Sequence, residues 1–170
     1  MVSANSTIKK LTYVYDLLSG GSGAFAETMS LAYMMTNSND WSKISDVYEQ
    51  FDLLGVQVEY VPYYIYDTTL PAGLYTPPLV DASYVMDSGV PTSIASSCEA
   101  NQHTVAQTRF RWNLKPMNKL NKRGFLAVEV LDDQEFLGYL QHIAVSGSMP
   151  NDTYVFSLRV TFMTRWRKSH

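Results

Sequence analysis

The end of the chain alternates apolar and polar side chains more strictly than any other part of the sequence. The even positions are Tyr154, Phe156, Leu158, Val160, Phe162, Thr164 and Trp166. The odd positions include Ser157, Arg159, Thr161 and Arg165. Because successive side chains of a strand point to opposite faces, this pattern predicts a long strand with one face in a core and one polar, basic face.

The same alternation predicts seven further strands. Two are clear: residues 104–114, and residues 54–60, where Leu54, Val56, Val58 and Tyr60 are expected to point inward. Weaker candidates lie between turn signals, at residues 8–17, 24–31, 79–86, 125–130 and 138–146.

Two short helices are predicted between the strands. Trp41, Ile44, Tyr48 and Phe51 follow helical spacing after Asn39, a favourable N-cap. A second helix is expected over residues 93–99, after Pro91. The sequence therefore predicts an all-β chain, one domain over residues 1–170, built as an eight-stranded antiparallel jelly-roll sandwich with one or two short inserted helices.

The composition excludes several classes of protein. Hydrophobic residues make up 46% and charged residues 17%, against about 25% charged in an ordinary soluble domain, so self-association is expected. A single cysteine, Cys98, excludes a disulfide framework and a structural zinc site. The sequence has no apolar run of the length that crosses a bilayer, and no membrane partner is expected.

The residues that usually carry catalysis are few and scattered. The candidates are Cys98, His103, His142 and His170, and a structural role is the favoured interpretation. Asp132, Asp133 and Glu135 could bind a hard cation, but a solvated acidic loop is the preferred interpretation. We therefore expect no enzyme, no cofactor and no metal site.

Basic residues concentrate in the second half of the chain, which has ten lysines and arginines after Val85 against three before it. Rows of such residues on strand faces attract phosphate without reading base sequence. Solubility, or ion pairing across a subunit contact, explains them equally well. The candidates for nucleic-acid or interface contacts are Lys9, Lys10, Arg109, Arg111, Lys115, Arg159, Arg165, Arg167 and Lys168.

An apolar, tyrosine-rich segment follows the strand that ends near Pro62. Aromatic side chains commonly anchor protein interfaces, although the segment could equally fold back on its own domain. The candidate subunit-interface residues are Tyr63, Tyr64, Ile65, Tyr66 and Leu70.

Three segments together resemble the capsid proteins of small icosahedral viruses. They are an aromatic helix running into a strand that ends at Pro (residues 41–62), the basic strand with a Lys-Pro exit (103–116), and the closing strand (154–167). The resemblance is strongest to the single jelly-roll capsid of circular Rep-encoding single-stranded DNA viruses, with tombusvirus-like RNA virus capsids as relatives.

The resemblance implies self-assembly into a small T=1 shell that encloses a genome, with single-stranded DNA as the expected cargo. It also implies a protein that assembles inside the host cell and resides in the virion. Such capsids usually carry a long arginine-rich arm, in place of which this chain has only Lys9 and Lys10. The alternative function is a jelly-roll binding module, lectin-like or a TNF-like trimer, that recognises a sugar or a receptor.

Overall fold

The computed structural model describes residues 6–18, 25–63, 80–86, 101–105, 109–144, 152 and 154–168. The strands are β1 (Ser6–Leu18), β2 (Phe25–Ser30), β3 (Gln50–Pro62), β4 (Val80–Val85), β5 (Asn101–Val105), β6 (Phe110–Leu114), β7 (Leu126–Ala127), β8 (Tyr139–Ala144) and β9 (Tyr154–Arg167). The helices are α1 (Leu31–Thr36), α2 (Trp41–Ser45) and a 3₁₀ helix over Val128–Asp132.

The strands form two antiparallel sheets, and each sheet combines strands from distant parts of the chain. The first sheet has the order β1-β9-β3-β6, with the two-residue β7 also paired to β3. The second has the order β2-β8-β4-β5. Since β1, β3, β6 and β9 lie in one sheet while β2, β4, β5 and β8 lie in the other, the eight main strands form a jelly roll, and the predicted fold class is confirmed.

The inward-facing residues of β9, predicted from its alternation, form the centre of the core. Phe156, Leu158, Val160 and Phe162 are all buried, and β9 pairs with β1 along one edge and with β3 along the other. From the second sheet, Val80, Ala82, Tyr84 and Leu140 join the same cluster. This apolar layer between the sheets supplies the main stabilising term of the fold.

Trp166 closes one end of this core. Its ring lies 5.6 Å from that of Trp41, 6.4 Å from that of Tyr48 and 5.7 Å from that of Phe51. Its indole N–H donates to Thr164 Oγ1 at 2.6 Å. The spacing of these aromatic residues predicted a helix over residues 41–51. In the structure they lie close together because they contact Trp166, and not because they share one helix.

Two predicted strands are wrong in extent. Residues 104–114 do not form one strand, because β5 belongs to the second sheet and β6 to the first. Of residues 125–130, only Leu126 and Ala127 pair, with Phe51 and Gln50. Gln50 is where β3 begins, so no further partner strand is available and the chain turns into the 3₁₀ helix.

Two residues predicted to point inward are exposed. The register of β3 against β9 shifts between Leu53 and Gly55, and this bulge turns Leu54 outward, where it is 45% exposed. Tyr154 lies at the start of β9, beside a second register shift between Leu17 and Leu18, and is 55% exposed.

The helix predictions need correction as well. The helix predicted over residues 41–51 ends at Ser45, and its N-cap is Asp40, not Asn39. Asp40 has a left-handed backbone with φ 69° and makes no side-chain cap bond. The helix α1 was not predicted; its N-cap Ser30 accepts from the backbone N–H of Tyr33. The helix predicted over residues 93–99 lies outside the described residues.

The outer faces of the two sheets differ in exposure. On the second sheet Ser83, Gln141 and Ile143 alternate with the core residues and yet are buried. On the first sheet the outward residues of β1 and β9 are largely exposed, as Ile8, Val14 and Met163 show. Surface contacts through a sheet are therefore to be sought on the first sheet.

None of the helices in the parts of the chain described above is long and apolar enough to span a membrane.

Candidate subunit and nucleic-acid interface

Arginine side chains collect on the outward face of the first sheet, here called the arginine face. Cross-strand register places Arg165 beside Ile8 and Asp52, and Arg159 beside Val14 and Glu59. The basic residues on this face are Lys10, Arg109, Arg111, Arg159, Arg165 and Arg167. The predicted basic rows of the two strands thus share one surface.

Glu59 is the centre of the largest charge cluster on the arginine face. Arg109 donates to Glu59 Oε1 from Nε and Nη2, each at 2.6 Å, and Arg111 Nε donates to the same oxygen at 2.9 Å. Arg159 Nη1 lies 3.8 Å from Oε2. Three guanidinium groups therefore share one carboxylate, and the cluster keeps an excess of positive charge.

The carboxylate of Glu59 is held in its charged form. Burial raises its pKa, but the hydrogen bonds from Arg111 and Arg109 outweigh that effect, so the pKa lies below its ordinary value. Glu59 is only 5% exposed, whereas the side chains of Arg109, Arg111 and Arg159 are 58%, 60% and 57% exposed. The arginines cover the carboxylate and present their outer N–H groups to solvent.

A second basic group lies at the other end of the arginine face. Arg165 Nη2 donates to Asp52 Oδ2 at 2.5 Å, and Arg167 Nε donates to Gln50 Oε1 at 2.6 Å. The two guanidinium carbons lie 5.0 Å and 4.1 Å from the centroid of the Phe125 ring. Cation–π contact and hydrogen bonding thus fix both arginines in place.

Apolar side chains separate the two basic groups. Ile8 is 59% exposed, Val14 53% and Met163 41%, all on outward positions of β1 and β9. Exposed apolar residues interspersed with arginine are characteristic of protein interfaces. The arginine face therefore has the chemistry of a contact surface as well as that of a phosphate-attracting surface.

Tyr63 is the predicted interface residue that the structure describes. It is 44% exposed, its hydroxyl donates to Asp16 Oδ1 at 3.0 Å, and its ring lies 5.9 Å from that of Tyr154. The two tyrosines form an exposed aromatic pair at the end of the first sheet. The other predicted interface residues, Tyr64, Ile65, Tyr66 and Leu70, lie outside the described residues.

Three predicted basic residues lie apart from the arginine face. Lys9 pairs with the inward-facing Thr164 and is exposed at the end of the sandwich. Lys115 follows β6 and lines a cleft. Lys168 is exposed directly after β9. The predicted set is therefore not one surface.

Of the residues weighed for catalysis or metal binding, His142, Asp133 and Glu135 have structural partners. His103 lies in β5 and pairs with Ala82 of β4, and Cys98 and His170 lie outside the described residues. His142 is fully buried, and its Nε2 and the Tyr60 hydroxyl form a hydrogen bond of 2.8 Å that joins the two sheets. Lys119 Nζ bonds Asp133 at 3.0 Å and Glu135 at 2.7 Å. Within the described ranges no three acidic, histidine or cysteine side chains are grouped to hold a metal ion.

The two acidic residues that organise the arginine face, Asp52 and Glu59, were not predicted as site residues. The alternation marked Glu59 as outward-facing, but not its arginine partners. Their pairing depends on the register of β3 with β6 and β9, which joins residues far apart in sequence.

Glu59→Gln is expected to destabilise the protein by about 1–2 kcal/mol at pH 7, because it removes charge-assisted bonds and leaves three cations close together. Since the pKa of Glu59 is lowered on folding, this contribution is present above its ordinary pKa and is lost as the pH falls below it. Thermal unfolding at pH 7 and at a pH below 4.5, the ordinary pKa of a glutamate, measures the effect. The control Asp16→Asn, at an exposed carboxylate, should change stability by less than about 0.5 kcal/mol; an equal loss in the two variants would contradict the special role of Glu59.

Several solved structures match this chain over nearly its whole length. The BFDV capsid protein, solved as a decamer, is 12% identical, with a TM-score of 0.57 over 95% of this chain and 99% of that one. The same protein solved as a 60-mer matches with a TM-score of 0.57, 12% identity and coverage of 98% and 96%. Tobacco necrosis virus matches with a TM-score of 0.62, 12% identity and 96% coverage of each chain.

The resemblance to jelly-roll capsid proteins is thus confirmed at the level of the fold. No protein-family model and no curated protein sequence matches this chain.

Proposed function

We propose that this chain is a viral capsid protein that self-assembles into a closed icosahedral shell around a nucleic acid genome. The observation that carries the proposal is the complete jelly roll, which matches capsid proteins over almost their entire length. One of them is described both as a decamer and as a 60-mer. The role proposed for this chain is structural: copies of the chain bind one another and so form the shell.

The arginine face supports contact between copies. Its exposed apolar residues, among them Ile8 and Val14, lie on long strands at the surface of a chain whose core is already filled. A closed symmetric assembly buries the same patch on every subunit and so removes the apolar exposure.

The excess of guanidinium groups supports a nucleic acid partner. In the Glu59 cluster the side chains of Arg109, Arg111 and Arg159 are more than half exposed, and their outer N–H groups suit phosphate oxygens. We propose a T=1 shell with a single-stranded DNA genome, assembled inside the host cell and present in the virion. The whole chain would act as one shell domain.

Electron microscopy and gel filtration of the purified protein, over a range of salt and pH, test the proposal. We expect closed particles of uniform size, and a ratio of absorbance at 260 and 280 nm raised by enclosed nucleic acid. Monomers alone under all conditions would overturn the proposal. A discrete trimer would support the alternative of a binding module.

Val14→Asp is expected to abolish particle formation while leaving the monomer folded, because it places a charge in the centre of the proposed contact surface. The matched control is Val47→Asp. Val47 is 48% exposed, close to the 53% of Val14, but lies between α2 and β3 and not on the arginine face. Light scattering reads out particle size, and circular dichroism reads out folding. Particles of normal yield from Val14→Asp would exclude the arginine face as a subunit contact.

A further inference from the structure

A cleft of about 590 Å³ opens where β3, β9 and the segment between β6 and β7 meet. Its charged lining residues are Asp52, Lys115, Lys122, Arg123 and Arg165. Four cations thus surround one carboxylate. Apolar walls from Leu53, Pro116 and Leu126 complete the lining.

Most of this positive charge is unpaired. The carboxylate of Asp52 is bound by Arg165. In the described part of the chain, Lys115, Lys122 and Arg123 form no ion pair, whereas the nearby Lys119 binds two carboxylates outside the cleft. With four cations against one carboxylate, the cleft keeps an excess of three positive charges, which favours an anionic ligand.

Arg165 is held in place by an ion pair and a ring contact. Its Nη2 binds Asp52, and its guanidinium lies over the ring of Phe125. Its Nε–H is buried and has no hydrogen-bond partner among the residues that the structure describes. The Arg165 side chain as a whole is 32% exposed, so its outer N–H groups remain open to a ligand oxygen in the cleft.

The segment that carries the other cations is also braced. The side chain of Asn118 accepts from the backbone N–H of Lys122 at 3.1 Å and donates to its carbonyl at 2.7 Å. The Tyr84 hydroxyl accepts from the backbone N–H of Met117 at 3.0 Å. Because the backbone is already ordered, ligand binding loses less conformational entropy there than in a free loop.

We propose that this cleft binds the phosphodiester backbone of a single-stranded nucleic acid, with Lys115, Lys122, Arg123 and Arg165 holding phosphate oxygens. Its volume is much larger than a phosphate group and falls in the range of ordinary ligand sites, and its apolar walls can pack against a sugar or a base. The inference rests on the proposed function, and it assigns a specific site to the genome contact.

Binding of a fluorescent fifteen-nucleotide oligothymidine, measured by anisotropy over a series of salt concentrations, tests the proposal. Each phosphate contact to a single strand contributes about 0.7 to the slope of log K against log salt, or about fivefold in affinity at 0.1 M salt. Lys122→Gln should therefore weaken binding by about fivefold, and the Lys122→Gln, Arg123→Gln double variant by about 25-fold. Lys43→Gln is the matched control, because Lys43 is exposed and pairs with Asp40; it should leave the affinity unchanged.

Particle size, measured on the same variants, separates this inference from the proposed function. Weakened oligonucleotide binding with normal particles supports the cleft. Equal weakening by Lys43→Gln would show a diffuse charge effect and overturn it. Normal oligonucleotide binding with lost particles would make the cleft a contact between copies, and would also overturn it. A further outcome is that inorganic pyrophosphate binds wild type but not the double variant, while oligothymidine binds both equally. That outcome would identify the ligand of the cleft as a small phosphate compound and not a single-stranded nucleic acid.

Discussion

Replacing Phe156 by alanine is expected to lower the free energy of unfolding by about 3–5 kcal/mol, because the change leaves a cavity in a filled apolar layer. Phe156 is 1% exposed, and its ring meets that of Tyr60 edge-on at 6.3 Å. On β9 it pairs with Leu17 of β1 and Pro62 of β3. Urea unfolding of the dissociated protein, followed by tryptophan fluorescence, gives the value.

Met163→Ala is the matched control for this prediction. Met163 lies on the same strand but on the outward face, where it is 41% exposed. Its truncation should cost less than about 1 kcal/mol. Similar losses in the two variants would mean that the alternation of β9 does not separate core from surface.

Acid is expected to destabilise the protein by about 3 kcal/mol between pH 6.5 and pH 4 through His142 alone. Burial lowers the pKa of His142 from 6.5 to about 4. The unfolded chain therefore binds a proton in this range while the folded chain does not, so stability is fully present above pH 6.5 and is lost as the pH falls towards 4. Unfolding curves at pH 7 and pH 4.5 measure the difference.

The geometry explains why His142 resists protonation. Burial raises the pKa of Tyr60, so its hydroxyl stays protonated and hydrogen-bonded to Nε2 of His142. The other ring nitrogen, Nδ1, is buried and, within the described ranges, has no hydrogen-bond partner. The imidazolium would thus carry its charge inside the core.

His142→Gln keeps an acceptor for Tyr60 and removes the titration, so its stability should change less between pH 7 and pH 4.5 than that of wild type. Glu27, which pairs with His142 across β2 and β8, contributes with the opposite sign. Burial raises its pKa, so the folded state takes up a proton before the unfolded state does. Comparison with Glu27→Gln separates the two residues. An unchanged pH dependence in His142→Gln would refute the prediction.

The strands and their inward faces could be read from the sequence because alternation is a local property. The burial of Phe156, Leu158, Val160 and Phe162 could be predicted without knowing which strands lie beside them, because a strand with one apolar face must bury that face. The helix prediction was wrong where one spacing is compatible with two structures. Trp41, Tyr48 and Phe51 fit a helical period, but Phe51 already lies in β3. Their rings are close together because all three contact Trp166.

The candidate site depended on contacts between distant parts of the chain. Arg109 and Glu59 are separated by 50 residues, and no pattern within either strand specifies the register that joins them. The bulge that exposes Leu54 is likewise a property of the pairing of β3 with β9.

The sequence by itself therefore determined an all-β sandwich with arginines on the solvent side of its strands. Tertiary structure decided which of the two sheets keeps an exposed outer face, which carboxylates the arginines bind, and that a cationic cleft forms beside Arg165. The physical reason is that the direction of a side chain follows from its own strand, whereas burial, ion pairing and clefts arise only when separate strands are brought into register.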